Sequence, residues 1–187
     1  MKVPIEINAR HIHLTKDVYI KLFGNDVMSK LKDVSQPNQF AAKETVSVKN
    51  NDQIIGNVRI VGPFREYNQI EISKTDAYHL KINSPIRTSG DLDNTPGIKL
   101  IGPKNEIDLT SGVIINRRHL HISLEEAKEF NIKDGDIISV KIDGNRSVTF
   151  HNVIVRSHDK IDSLAFQIDT DEANAAGVST GDFGEII

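Results

Sequence analysis

The sequence predicts a mainly β protein: two β-barrels capped by short α-helices, built from a degenerate tandem repeat. Three observations predict it. The pattern Arg-His-x-His occurs as Arg10-His11-Ile12-His13 and again as Arg118-His119-Leu120-His121, an offset of 108 residues (119 − 11). Each copy leads into a short capped helix. The rest of the chain is short strands punctuated by Gly and Asp turns, with few long helical runs.

Taken in order, Val3, Ile5, Ile7 and Ala9 alternate with polar or small residues, the period of a half-buried strand. His11 and His13 continue its inward odd-numbered face. Thr15 is the expected N-cap of a helix over Lys16–Phe23, with Gly24 as its stop. A polar, Pro-containing stretch, Ser35 to Phe40, reads as an insert. Glu71 to Ala77 resembles Gln167 to Ala173 at an offset of 96 residues (173 − 77), so the first half carries about twelve extra residues between its two elements. Thr75 to Leu80 reads as a second helix, with His79 as filler. After the second histidine pair, Ser123-Leu124-Glu125-Glu126 has the form of a capping box, and its helix runs to about Phe130. Asn131 to Asp136 turns into a strand over Ile137–Ile142. Asp143-Gly144-Asn145 then makes a hairpin to Ser147–Phe150, and a further strand covers Asn152 to Arg156.

Composition narrows the function. The chain has 187 residues, 38% hydrophobic and 26% charged, with a net charge of −3, which gives no reason to expect a nucleic-acid surface. No apolar run approaches the roughly 20 residues that span a bilayer. The first strand begins at the N-terminus with no signal peptide ahead of it, which gives the expectation of a cytoplasmic protein. Cysteine is absent, so disulfides, thiolate ligands and an acyl-cysteine are excluded, and any metal must be held by His, Asp or Glu.

Residues i and i+2 of a strand share a face, so each His-x-His can present two imidazoles side by side. A single copy is better read as structural. Two copies in one register make His11, His13, His119 and His121 candidate metal ligands. Glu71 is either a solvated carboxylate or the third ligand of the first pair; two His plus one carboxylate is a catalytic zinc set that leaves a position open. The equivalent Gln167 is a poor zinc ligand, which leaves water, His158, Asp169 or Glu172 to complete the second site. Arg65, six residues before Glu71, offers a planar fork suited to an oxyanion such as phosphate.

Several segments together resemble one family. They are Arg10 to Leu14, Gln36 to Val46 (Gln-Pro-Asn-Gln-Phe-Ala-Ala-Lys-Glu-Thr-Val), Gly62-Pro63-Phe64-Arg65, Gln69 to Ala77, Arg118 to His121 and Asp169 to Ala176. In these the chain resembles the phosphate propanoyltransferases of propanediol utilisation (PduL-type phosphotransacylases) over essentially its whole length. The resemblance implies reversible conversion of acyl-CoA and phosphate to acyl phosphate and CoA, for a short acyl group such as propanoyl or acetyl. It implies two capped β-barrels that hold two zinc ions and CoA. It also implies that the N-terminal strand crosses over, grouping 1–9 with 117–187 and leaving 10–116 as the other domain, where the repeat alone suggests simple halving. Carried over by position, it makes His11, His13 and Glu71 ligands of the zinc that meets the CoA sulfur, and His119 and His121 ligands of the second. Arg65 becomes the phosphate contact, and Ile7, Asn8, Ala9, Arg59, Arg118 and Asn174 the CoA contacts. The family carries a third histidine where this chain has Gln167, which puts the second site in question. Encapsulated members carry an N-terminal microcompartment-targeting extension; none is visible ahead of the first strand, so a free cytoplasmic form is expected. The competing class is a non-catalytic zinc- and CoA-binding barrel, which the Gln167 departure favours. The sequence leaves a homodimer open.

Overall fold

The computed structural model of the protein describes residues 1–157 and 163–187. In chain order its strands are β1 (Lys2–Asn8), β2 (His11–His13), β3 (Lys30–Asp33), β4 (Phe40–Asn50), β5 (Gln53–Gly62), β6 (Gln69–Glu71), β7 (Ile86–Arg87) and β8 (Lys99–Ile101). They continue with β9 (Glu106–Asp108), β10 (Val113–Asn116), β11 (His119–His121), β12 (Ile137–Ile142), β13 (Val148–Arg156), β14 (Ala165–Asp169) and β15 (Phe183–Ile186). The helices are short: α1 (Lys16–Phe23), α2 (Lys74–His79), α3 (Leu124–Glu129) and α4 (Thr170–Ala176). No helix among the described residues is long and apolar enough to cross a membrane.

These elements form two compact units, one of Met1–Ala9 with Arg117–Ile187 and one of Arg10–Asn116. The first unit is a closed barrel in the order β1-β14-β11-β13-β12-β15. The second is a nine-stranded sheet, β7-β10-β6-β2-β5-β4-β8-β9, with β3 paired to β4 beside that path. Two barrels were the expectation; one is closed. The difference lies in a single strand edge. In the barrel, β1 pairs with β14 on one side and β15 on the other, which joins the ends. In the sheet, β10 takes the matching place beside β6 but pairs Ile115 with Ile86 of β7, while its Val113 N–H donates to the Pro96 carbonyl ahead of β8.

Around each histidine strand the pairing is otherwise alike. β2 lies parallel to β5 and antiparallel to β6, and β11 lies parallel to β13 and antiparallel to β14. β6 and β14 are in turn flanked by a parallel strand, β10 and β1 respectively. The extra residues of the first half include β3, which has no counterpart between α3 and β12.

The histidine strands are anchored by their alternate residues. Ile12 and Leu14 are fully buried in the sheet's core with Leu22, Ile60 and Ile70, and Leu120 and Ile122 in the barrel's core with Val3, Ile5 and Phe166. Period-two alternation then turns both imidazoles of each pair to the other face. One expectation differs here. His11 and His13 do not continue the face of β1, because the chain passes from one unit to the other between Ala9 and Arg10.

The helix ends follow the sequence closely. Thr15 accepts from the Val18 N–H, and Gly24 closes α1 in a left-handed conformation at φ 76°. The Ser123/Glu126 capping box starts α3, and matching boxes, Ser73/Asp76 and Asp169/Glu172, start α2 and α4. The two segments read separately as Ser147–Phe150 and Asn152–Arg156 are one strand, β13. Asn152 takes φ 60° within it, and pairing to β12 resumes after a register shift between Ile138 and Val140.

Candidate metal centre

In the antiparallel pair β2–β6, His11 sits directly opposite Glu71 and His13 opposite Gln69. That register brings three side chains together. The Nε2 atoms of His11 and His13 lie 3.2 Å apart, and Glu71 Oε1 is 3.5 Å from the first and 3.9 Å from the second. The ligand atoms of these residues all fall within 4.8 Å of one another. Two imidazoles and a carboxylate could hold a metal ion and leave a coordination position open. Among the described residues they form the one group of three or more His, Asp or Glu so placed.

The surroundings hold His13 and Glu71 in the form a metal would need. His13 Nδ1 donates to the Val61 carbonyl at 3.0 Å, which fixes the tautomer and leaves Nε2 turned to the site as a lone pair. Burial, then the His11 and Arg65 charges, lower the His13 pKa from 6.5 to about 3, against the opposing pull of Glu71 and the Val61 bond. His13 is therefore neutral, and its contact with Glu71 is not an ion pair. Glu71 is braced on both oxygens. Gln69 Nε2 donates to Oε1 at 2.6 Å, and Asn116 Nδ2 donates to Oε2 at 2.7 Å. Gln69 is itself fixed, with Nε2 also donating to Ser89 Oγ at 2.8 Å and Oε1 accepting from Gly90 N–H at 2.8 Å.

The depressed His13 pKa has a consequence for the metal-free protein. Between pH 3 and 6.5 the unfolded chain holds a proton on this residue that the native state refuses, so the His13 contribution is complete above about pH 6.5 and is lost as pH falls toward 3. Chelator-treated protein is expected to lose stability over that window in denaturant melts. His13→Leu should show a shallower slope there; an unchanged slope would contradict the assignment.

Arg65 belongs to the same unit, and its charge acts on His13. Its guanidinium donates to Gln39 Oε1 at 3.1 Å and Tyr67 OH at 3.2 Å, and its backbone N–H donates to the Leu14 carbonyl at 2.9 Å. All three partners are neutral, so the positive charge stays available to an anion.

The second pair repeats the convergence. His119 and His121 Nε2 are 3.1 Å apart, both residues are buried, and His119 Nδ1 donates to the Arg117 carbonyl at 2.8 Å. Gln167 lies directly opposite His119, as Glu71 does opposite His11. Its Nε2 donates to Glu6 Oε2 at 2.7 Å. Asp169 and Glu172, offered by the sequence as replacements, instead cap α4, and Glu172 also meets Arg118. His158 lies outside the described residues.

The remaining candidates fall in both units. Ile7, Asn8, Ala9, Arg118 and Asn174 belong to the barrel unit and Arg59 to the sheet unit. Arg59 is the Cα partner of His11, and its Nη1 donates to the Ala42 and Lys43 carbonyls at 3.0 and 2.7 Å. Ile7 packs partly into the barrel core, Asn8 pairs with Asp169, and Ala9 and Asn174 are exposed. Arg118 Nε meets Glu172 Oε1 at 2.9 Å, with the guanidinium 5.2 Å above the Phe150 ring. Sequence reasoning missed Gln69, Asn116, Gln39, Tyr67 and the Val61 carbonyl as supports. Asn116 carried a signal, since it repeats Asn8 at the 108-residue offset, and Gln39 and Gln69 lie in segments that carry the family resemblance.

Comparison with known proteins agrees with the resemblance. Residues 4–179 match the family model described as phosphate propanoyltransferase. A protein of that name from Thermotoga maritima is 42% identical over 185 residues, which is 98% of this chain and 88% of the relative. Those of Citrobacter koseri and Limosilactobacillus reuteri are 45% and 43% identical, covering 96% and 99% of this chain and 86% and 87% of theirs.

Proposed function

The chain belongs to the phosphate propanoyltransferase family, and from that premise we propose that it moves a propanoyl or acetyl group directly between CoA and phosphate, assisted by zinc at His11, His13 and Glu71. That it is a phosphate acyltransferase follows from the family. The observation that carries the finer reading is the meeting of three ligand atoms within 4.8 Å in the unit that also holds Arg65. Zinc bound there would act as a Lewis acid on the thioester carbonyl or on the sulfur as it leaves.

The chain's own residues supply the rest. Arg65, steadied by Gln39 and Tyr67, would bind phosphate through its fork and hold one oxygen against the carbonyl carbon. That oxygen forms the new C–O bond as the C–S bond breaks, and the electron pair leaves with CoA as thiolate. With no cysteine in the chain, direct transfer is favoured over an acyl-cysteine intermediate. Val61 keeps His13 neutral-side-out, while Gln69 and Asn116 keep Glu71 aimed.

CoA is proposed to contact Ile7, Asn8, Ala9, Arg59, Arg118 and Asn174; the exposure of Ala9 and Asn174 and the place of Arg59 beside His11 support this. His119 and His121 are proposed as a second zinc site that binds more weakly, because an amide replaces the third ligand. The proposal includes two β-barrels related as a degenerate tandem repeat, supported by the matched strand pairing around β2 and β11. It places the enzyme in the cytoplasm and leaves room for a homodimer.

CoA release from propanoyl-CoA and acetyl-CoA, with and without phosphate, tests the reading. Release that requires phosphate and yields acyl phosphate is the expected result. Release without phosphate would indicate a thioesterase, and no turnover would favour a binding module.

A further inference from the structure

The arginine ahead of each His-x-His meets the capping-box acid of a helix in its own unit. Arg10 Nε donates to Asp76 Oδ2 at 3.0 Å, and its Nη2 lies 2.9 Å from Oδ1, a two-pronged pair. Asp76 is the third residue of α2 and already accepts the Ser73 N–H in the capping box. In the barrel unit, Arg118 Nε meets Glu172 Oε1 at 2.9 Å, and Glu172 is the capping-box acid of α4. The arginines are related by the 108-residue offset and the acids by the 96-residue offset that relate the two motifs (118 − 10 and 172 − 76).

An exposed ion pair would be worth little. This one is different in geometry and placement. The Asp76 side chain is only 8% exposed and takes both prongs of the guanidinium, the strong and directional form of the interaction. Arg10 directly precedes His11, and Ser73, whose N–H shares Asp76 Oδ2, lies two residues after Glu71. The pair therefore ties the start of the histidine strand to the end of the carboxylate strand. The same tie in the barrel unit, where Gln167 stands in place of the carboxylate, makes a chance surface contact a poor account.

We propose that Arg10 is a positioning residue: through Asp76 and the Ser73 cap it sets Glu71 against His11 and His13 at the distance a metal ion requires. The proposal rests on the reading of these three residues as a zinc site. Loss of a hydrogen-bonded support around a metal typically weakens binding about 10–100-fold.

The test is Zn2+ affinity of the full chain, measured by competition with a chromophoric chelator, alongside melting of the chelator-treated protein. His119→Ala is carried in every form, so that the second pair does not contribute. Arg10→Ala and Asp76→Asn should each weaken Zn2+ about 10–100-fold, and Arg10→Lys, which lacks the fork, should recover only part of the loss. The exchange of Arg10→Asp with Asp76→Arg in one chain should bind more tightly than either single change. Unchanged affinity in Arg10→Ala would overturn the positioning role while leaving the metal centre intact. Weaker binding matched by a collapse of metal-free melting in every variant, Arg10→Lys included, would reduce the pair to a fold element and overturn the role as well. A parent that binds no Zn2+ would overturn the metal reading and the proposal with it.

Discussion

His13→Ala is expected to lower turnover of propanoyl-CoA with phosphate by about three orders of magnitude. Lewis-acid stabilisation of a developing charge is worth several kcal/mol, and each ~1.4 kcal/mol is a tenfold change in rate. His13 has little latitude as a proposed ligand, because its Nδ1 is committed to Val61 and only Nε2 can reach the site. Its depressed pKa also removes it as a proton donor near neutrality, so the loss should reflect the metal alone. Two controls separate the causes. Chelator-treated protein should fall to the same residual rate, and added zinc should restore the parent but not the variant. A His13→Ala protein with near-normal turnover would show that the first histidine pair is not catalytic.

Arg65→Ala should cost about 10²–10³-fold in kcat/KM for phosphate, the size seen when one donor to a reacting oxyanion is removed. The KM for propanoyl-CoA should change little, because the guanidinium is held by Gln39 and Tyr67 and is proposed to bind phosphate rather than the acyl carrier. Arg65→Lys keeps the charge without the planar fork and should recover only a fraction. Unchanged phosphate kinetics in Arg65→Ala would remove the residue from the mechanism.

How much of this was legible in the sequence depends on distance along the chain. Thr15 and Gly24, Ser123 and Glu126, and the Asp143–Asn145 hairpin are local signals, read from neighbouring residues, and the structure follows them. The triad was legible for another reason. Repetition marked His11 and His13, and the second offset marked Glu71, so the convergence of all three could be expected before their register was known. What local pattern did not carry was pairing between distant strands. Alternation through residue 13 looks continuous, yet β1 pairs with β14 and β15 while β2 pairs with β5 and β6. The same limit hid the open edge of the sheet, since nothing in Val113–Asn116 says that β7 will occupy it. The supports were hidden by residue type. A buried amide such as Gln69 sits within a segment of the family resemblance, yet its role as a support shows only when Glu71, Ser89 and Gly90 are seen around it.

Zinc per chain in the purified protein, measured by elemental analysis for the parent, His13→Ala and His119→Ala, decides whether His11, His13 and Glu71 hold a metal. About one tightly held equivalent is expected, surviving His119→Ala and dialysis against a weak chelator but disappearing in His13→Ala. A parent without zinc, or zinc lost only in His119→Ala, would contradict a catalytic centre at His11, His13 and Glu71.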